Sequence, residues 1–381
     1  MQATLQLSVD TLSWAAASSG YSLNDFAHYL YKTEQTASNI AQGQLTVEQL
    51  KKFSEKAKVP FGFLFLDKPP KDYQPDTSFV DFRTVSHQKP LSADFKKTLR
   101  DVEHKQTWYR NYLVSIDANK LPFVGKFSKN KQISNELVAH EIRETLKLDQ
   151  IKTSNTDAYF TALSKACEGI GVLVFKNSIV INNTKKPLNA KEFRGFVITD
   201  EYAPCIFINS DDSKNANVFT LVHELAHIWL GESGVSDTAF NANHQSEAKC
   251  NAIAALVLVP ANEFVQLWDA SNDNARTKIK QLNTHFKVSE LVIARTALTH
   301  NKISQTLYNQ IDEETEKAWR LYKEKNKGKE SGGGVPPRLI VPIRNSKTIT
   351  NKVVELVKSN KMMPSEASIL LNKSAAMIGS L

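Results

Sequence analysis

The sequence predicts an α+β protein with three parts: an N-terminal helical, helix-turn-helix-like bundle, a central small antiparallel sheet plus helices, and a small helical C-terminal segment. Three observations carry this. Apolar residues recur at helical spacing through the first 66 residues and again from residue 219 onward. Between residues 172 and 209 the period shortens to brief β-branched and aromatic runs broken by Asn, Lys and Asp. Stretches rich in Pro, Gly and Lys separate these parts.

Taken in order, "VDTLSWAAASSG" reads as a helix stopped by Gly20, and "SLNDFAHYLYK" as a second, with Ser22 as cap and Asp25 three residues on. A third begins near "TASNIAQG" and ends at Gly43. The fourth, "TVEQLKKFSEKAKV", takes Thr46 as its cap and places Val47, Leu50, Phe53 and Ala57 on one face. Short helices with tight turns make the kind of bundle that contains a helix-turn-helix. A Pro-rich linker, "DKPPKDYQPDTSFVDFRTVSHQKP", leads to a long charged helix, "SADFKKTLRDVEHKQTWYRNYLVSI". Two further helices follow, the second closed by Gly169 and Gly171. "VLVF", "SIVI", "FRGFVIT" and "CIFIN" are the expected strands. Helices then run through "FTLVHELAHIWLGESG", "SEAKCNAIAALVLVPANEFVQLW", "NARTKIKQLNTHF" and "VSELVIARTAL" before a flexible "KEKNKGKESGGGVPP". The expected boundaries are 1–68, a linker over 69–90, the sheet-bearing domain with its helical scaffold over 91–325, a linker over 326–337, and a basic segment over 338–381.

A chain of 381 residues is too long for one core of ordinary size. Its 41% hydrophobic and 23% charged shares are those of a soluble globular protein. The three cysteines, Cys167, Cys205 and Cys250, form no C-x-x-C pair, which argues against a disulfide framework or a Cys-based zinc ribbon and for a reducing compartment. With no basic leader and no run approaching ~18 apolar residues, the expectation is a cytoplasmic protein without a membrane partner. Most of the net charge of +8 sits at one end: Leu321 to Leu381 holds 11 Lys and Arg against 4 Asp and Glu. Such a tail suits an acidic or nucleic-acid partner, or a simple solvated end.

Chemistry concentrates in "FTLVHELAHIWLGESG". On a helix, residues four apart share a face, so His223 and His227 can present two imidazoles to one ion. Glu224 lies about a hundred degrees round the helix, within reach of a water on that ion without ligating it. This is the H-E-x-x-H pattern. A zinc site open to water needs a third ligand, commonly a carboxylate. Glu247 on the next helix is assigned to it, with Asn251 one turn beyond as a possible hydrogen-bond partner of a ligand. Asp237 and Glu232 are rival carboxylates, although Glu232 stands too near the first helix to fold back easily. These residue types imply hydrolysis, with zinc activating water and Glu224 taking its proton and passing it to a leaving amine. No residue declares itself as the oxyanion partner; His244 is close in sequence but reads as a surface residue.

"FTLVHELAHIWLG", "EAKCNAIAALVLVP" and "FKVSELVIARTAL" together resemble the ImmA/IrrE family of zinc metallopeptidases, in the form with an N-terminal Xre-type helix-turn-helix domain. "VPFGFLFLDKPP", "DFRT" and "PSEASILLNKSAAMIGSL" extend the likeness over nearly the whole chain. The resemblance implies a gluzincin-like domain, His223, His227 and Glu247 as ligands of Zn2+, Glu224 as catalytic base, and a protein substrate such as a DNA-binding repressor. It also implies an alternative, a transcription regulator or antitoxin of a toxin–antitoxin-like pair, with a co-encoded toxin as partner and a structural or vestigial zinc. Two departures concern the bundle. Ile40, Ala41, Gln42 and Gly43 stand where the family usually reads Trp-Glu-x-Gly, and "TEQTASNIAQG" has no Lys or Arg for phosphates. Thr36, Ser38, Asn39 and Gln42 could read base edges, but with 5 basic against 5 acidic residues over 1–66 the bundle suits protein interaction or dimerisation as well as DNA.

Overall fold

The computed structural model describes residues 4–17, 21–57, 59, 61–69, 80–81, 91–130, 132–236, 245–326, 336–379 and 381. The expected stop at Gly20 and most of the two linkers lie outside the described residues. The chain divides into two compact units, the first taking Met1–Phe79 and Gln88–Leu99 and the second Val80–His87 and Arg100–Leu381.

The first unit contains β1 (Thr4–Gln6), α1 (Val9–Ala17), α2 (Leu23–Leu30), α3 (Glu34–Ala41), β2 (Gln44–Thr46) and α4 (Val47–Ala57), then a 3₁₀ turn over Phe61–Phe65. Its local signals work as read. The Ser22 hydroxyl accepts the Asp25 N–H, and Thr46 and Gln49 cap each other reciprocally, hydroxyl to N–H and N–H to carboxamide. Leu12, Phe26, Ile40, Leu50 and Phe53 make a closed core in which the Phe26 and Phe53 rings meet edge to face at 4.9 Å. Val47, expected on that face, is 44% exposed at the first position of its helix. The ribbon of β1 against β2 was not foreseen, because three residues are too few to show a period. Gly43 makes it possible: its φ of +82° turns the chain out of α3, and a Cβ there would stand 2.4 Å from the Leu7 carbonyl oxygen.

The second unit opens with β3 (Val80–Asp81) and the greater part of α5 (Ala93–Ser115). It continues through α6 (Asn135–Leu146), α7 (Thr156–Gly169), β4 (Leu173–Asn177), β5 (Ile179–Val180), β6 (Asn183–Pro187), β7 (Gly195–Ile198), β8 (Cys205–Asn209), α8 (Lys214–Leu230), β9 (Gly234–Ser236) and α9 (Gln245–Leu258). Then come α10 (Ala261–Ala270), α11 (Ala275–Phe286), α12 (Glu290–Thr299), α13 (Gln305–Asn326), α14 (Pro337–Arg344), α15 (Lys347–Lys358), α16 (Pro364–Leu371) and α17 (Ala375–Ile378).

The main sheet has the order β3-β9-β7-β8-β4 and is mixed, which corrects the antiparallel expectation. β7 runs antiparallel to β8 and β9, whereas β4 pairs with β8, and β3 with β9, in parallel. Strand direction leaves no mark on apolar period. β8 is buried at every position, the mark of a strand covered on both faces, and that signal is silent about its neighbours. "SIVI" does not join this sheet; Ile179 and Val180 pair with β6 in a separate ribbon.

α8 is the axis of the unit. It packs on β7 and β8 and meets α6, α7 and α9, and every residue from Asn217 to Leu230 is buried. At its C-terminal end Trp229 stacks on Phe123 with ring centres 4.5 Å apart. No single helix among the described residues is long and apolar enough to cross a membrane; the bent pair α9 and α10 passes by length and composition together, but α9 carries the buried Glu247 and packs against α8.

The basic C-terminal helices dock instead of trailing in solvent. α14 and α15 pack against β4, burying Val341, Ile349 and Val353. Glu168 at the end of α7 reaches the start of α15, accepting from the Ser346 hydroxyl at 2.5 Å and from the Lys347 N–H at 2.8 Å. Ser346, fully buried with φ +61°, turns its own hydroxyl to that carboxylate instead of capping the helix it precedes. Asn182 donates to the Asn372 carbonyl and accepts from Arg344, and Asn372 in turn donates to Asp101 on α5. Glu168 thus satisfies the otherwise orphaned amide end of α15 from another helix. Glu168→Ala is expected to cost about 1–2 kcal/mol and to speed hydrogen exchange in α15 more than in α8. Equal effects on both helices would show that the carboxylate is not a cap for α15.

Candidate metal centre

The site is built on two helices and one strand. Ser213 starts α8 by accepting the Ala216 N–H. Its 17 residues carry His223 and His227 on one face, both without solvent exposure. Glu247 lies in the first turn of α9, equally buried, with Asn251 5% exposed on the same helix one turn on. Ser236, the last residue of β9 and also fully buried, donates its hydroxyl to Glu247 Oε1 at 3.3 Å. Asp237 and His244 lie outside the described residues.

The three expected ligands converge. His223 Nε2 and His227 Nε2 are 3.2 Å apart, His227 Nε2 is 3.1 Å from Glu247 Oε1, and His223 Nε2 is 3.2 Å from Glu247 Oε2. Metal-to-ligand bonds of ~2.0 Å in a tetrahedron put ligand atoms about 3.3 Å apart, so the donor set fits an ion such as zinc in both chemistry and spacing. The group could hold a metal with three side chains and leave a fourth position free.

Glu224 stands apart from that triangle. It is fully buried, and the Ser236 hydroxyl is a hydrogen-bonding neighbour. Burial pushes its pKa up to about 8, with the Glu247 carboxylate adding to the rise and His227 and the Ser236 hydroxyl opposing it. Glu247 goes the other way. Burial alone would raise it, but His223 and His227 outweigh that and hold it at about 2. Two buried carboxylates beside His227 are therefore driven apart in acidity, Glu224 by burial and Glu247 by its imidazole partners.

Three residues that sequence reasoning passed over complete the arrangement. Gly195 on β7 lies directly under the helix: a Cβ there would stand 2.6 Å from Glu224 Oε1 and 2.8 Å from Thr220 Cγ2. Only glycine allows the strand so close to the carboxylate, although "FRGFVIT" offered no hint beyond a glycine in a strand. Ser236 left no periodic signal at all. The third is Glu232, which was expected not to fold back and does. Its carboxylate lies 3.1 Å from His227 Nδ1 and accepts from the Ser246 hydroxyl on α9. The reason is Gly231, whose φ of +77° closes α8 in a Schellman turn: the Gly231 N–H bonds to the Ile228 carbonyl and the Glu232 N–H to the His227 carbonyl. Cys250 joins His227 and Glu232 in a second compact donor group, and burial pushes its thiol up.

Residues 167–298 match the family model Peptidase_M78, the IrrE N-terminal-like domain. The matched stretch runs from the end of α7 to α12 and contains α8, β9 and the described part of α9. It supports the ImmA/IrrE resemblance and gives this region of the chain a metallopeptidase-type domain. No curated protein matches the chain.

The raised pKa of Glu224 has a consequence for the metal-free protein. An acid that is harder to ionise in the folded chain than in the unfolded one makes the fold less stable as pH climbs from about 4.5 to about 8. Glu224→Gln removes that penalty. The metal-free variant is expected to be more stable than the metal-free parent at pH 8, by roughly a few kcal/mol, and no more stable at pH 4.5. Thermal melts at the two pH values decide this; a gap of equal size at both would mean that Glu224 ionises normally.

Proposed function

We propose that the metallopeptidase-type domain over residues 167–298 is a zinc-dependent endopeptidase that cuts a regulatory protein, with His223, His227 and Glu247 as ligands and Glu224 as general base. The observation that carries this reading is the convergence of His223, His227 and Glu247 at 3.1–3.2 Å, with the fully buried carboxylate of Glu224 next to His223 on the same helix. A purely structural metal has no use for such a group, and leaving it desolvated costs several kcal/mol. A hydrolase uses it, because a desolvated carboxylate is a stronger base than one in water once a neighbouring cation favours its ionised form.

Zinc held by two imidazoles and one carboxylate supplies Lewis acidity, lowering the pKa of water towards ~7 and polarising a carbonyl. The chain's own residues do the rest. Glu224, one residue from His223, takes a proton from the attacking water as its oxygen bonds to the peptide carbonyl carbon. It returns that proton to the amide nitrogen as the C–N bond breaks, so the base is regenerated. Gly195 keeps the space over the carboxylate clear, and the fully buried Val222, Leu225 and Ala226 hold α8 in the core.

The ImmA/IrrE resemblance supports a DNA-binding repressor as substrate. To the N-terminal unit we assign recognition of that protein, in preference to duplex DNA. The outer positions of α3 carry Gln35, Ser38 and Asn39 with no Lys or Arg, Gln35 donates to Asn39, and Glu34 pairs with His28. A phosphate backbone would meet no cation there.

Purified chain is expected to hold one zinc by elemental analysis, and His223→Ala, His227→Ala or Glu247→Ala to lose it. Glu224→Gln should retain zinc, capture its protein target from the source cell extract, and release it uncut, whereas the parent chain cleaves the captured protein. Cleavage by Glu224→Gln at the parental rate would overturn the mechanism. Gly195→Ala should keep zinc yet lose at least tenfold in cleavage rate, since about 1.4 kcal/mol of misplacement is enough for that.

A further inference from the structure

We infer that Glu232 is a positioning residue for His227, fixing which nitrogen of that imidazole faces the metal, and that Ser246 holds Glu232 in place. This rests on the proposed function, because it concerns the ligand set assigned there. An imidazole can bind an ion through either nitrogen, and the hydrogen bond made by the other nitrogen selects the tautomer and the ring's orientation. His227 Nε2 points at His223 and Glu247, and His227 Nδ1 lies 3.1 Å from Glu232 Oε2. Cys250 lies in the same cluster, but Glu232 is the better acceptor for the proton on Nδ1: its oxygen stands 3.1 Å from that nitrogen, and a carboxylate accepts hydrogen bonds far more strongly than a thiol.

The backbone is built to deliver it. The Schellman turn at Gly231 returns the chain over the last turn of α8, and two further bonds pin the loop: Thr199 Oγ1 donates to the Glu232 carbonyl at 2.6 Å and the Thr199 N–H to Ser233 Oγ at 2.8 Å. Ser246 sits next to Glu247 in α9 and donates to the same Glu232 oxygen that faces His227. One short path, Ser246 to Glu232 to His227, therefore ties the start of α9 to the second imidazole, while Glu247 ties it to both. Glu232 is 35% exposed at its side chain, so truncating it opens no sealed cavity, though it takes a partner from His227 Nδ1 and the Ser246 hydroxyl.

The test compares the full chain with Glu232→Ala, Glu232→Gln and Ser246→Ala, using zinc affinity in competition with a chromophoric chelator, the visible spectrum of the Co2+-loaded protein, and the melting temperature of the metal-free form. The expected result is zinc binding about 10- to 100-fold weaker in Glu232→Ala and a smaller loss in the other two. The Co2+ bands should shift, and Glu232→Gln, which keeps an acceptor for His227, should hold the parental metal-free melting temperature. Parental zinc affinity and Co2+ bands in Glu232→Ala would overturn this inference while leaving the proposed peptidase standing. So would a second equivalent of zinc in the parent chain that disappears in Cys250→Ser, because the cluster would then be a cation site of its own. A parent chain that takes up no zinc would overturn both readings.

Discussion

The structure depends on one constraint: two imidazoles and two carboxylates share the largest core of the molecule with no solvent exposure. Ionisable groups in such a place are tolerated only when they satisfy one another or a cation. His223, His227 and Glu247 approach one another at 3.1–3.2 Å, yet His223 Nδ1 and Glu247 Oε2 still lack hydrogen-bond partners among the described residues. Glu224 adds a second buried carboxylate whose acidity burial shifts upward. A core designed for stability alone would exclude such a group, as is typical of positions kept for chemistry.

Holding the four groups so close requires backbone that approaches more tightly than side chains normally permit, and glycine appears at both places where this happens. Gly195 brings β7 against Glu224, and Gly231 ends α8 in a left-handed residue where a Cβ would stand 3.1 Å from Gly125 Cα and 3.0 Å from Ser128 Cβ. The first sets what surrounds the base. The second sends Glu232 back to His227 and leads into β9, which brings Ser236 to Glu247. Strand β9 lies between β3 and β7, so the register of the mixed sheet fixes the height of Ser236.

The remainder of the second unit braces α8 and its sheet. α6 and α9 pack on one another and on α8, Arg143 reaches the Val257 carbonyl, and the C-terminal helices are drawn onto β4 through Glu168, Asn182 and Asp101. The concentration of Lys and Arg near the C-terminus is therefore compatible with a docked segment: Ile349 and Val353 of α15 face the core, and Lys347 and Lys358 stay on its rim.

By itself the sequence determined what is local. Helix caps at Ser22 and Thr46, the helical face shared by His223 and His227, and the third carboxylate one helix later could all be read, because each depends on residues within a few turns of one another or on a ligand count that chemistry imposes. The Schellman turn at Gly231 was equally local, and the signal was present in "LGES"; what hid Glu232 was the assumption that a residue five positions past a ligand cannot return to it. Only the tertiary structure decided the rest: parallel pairing of β4 with β8, the departure of β5 into its own ribbon, the approach of Gly195 to Glu224, Ser236 against Glu247, and the docking of the basic tail. These join residues tens to more than a hundred positions apart, or turn on which strand lies beside which. Apolar period reports whether a face is buried, not what buries it.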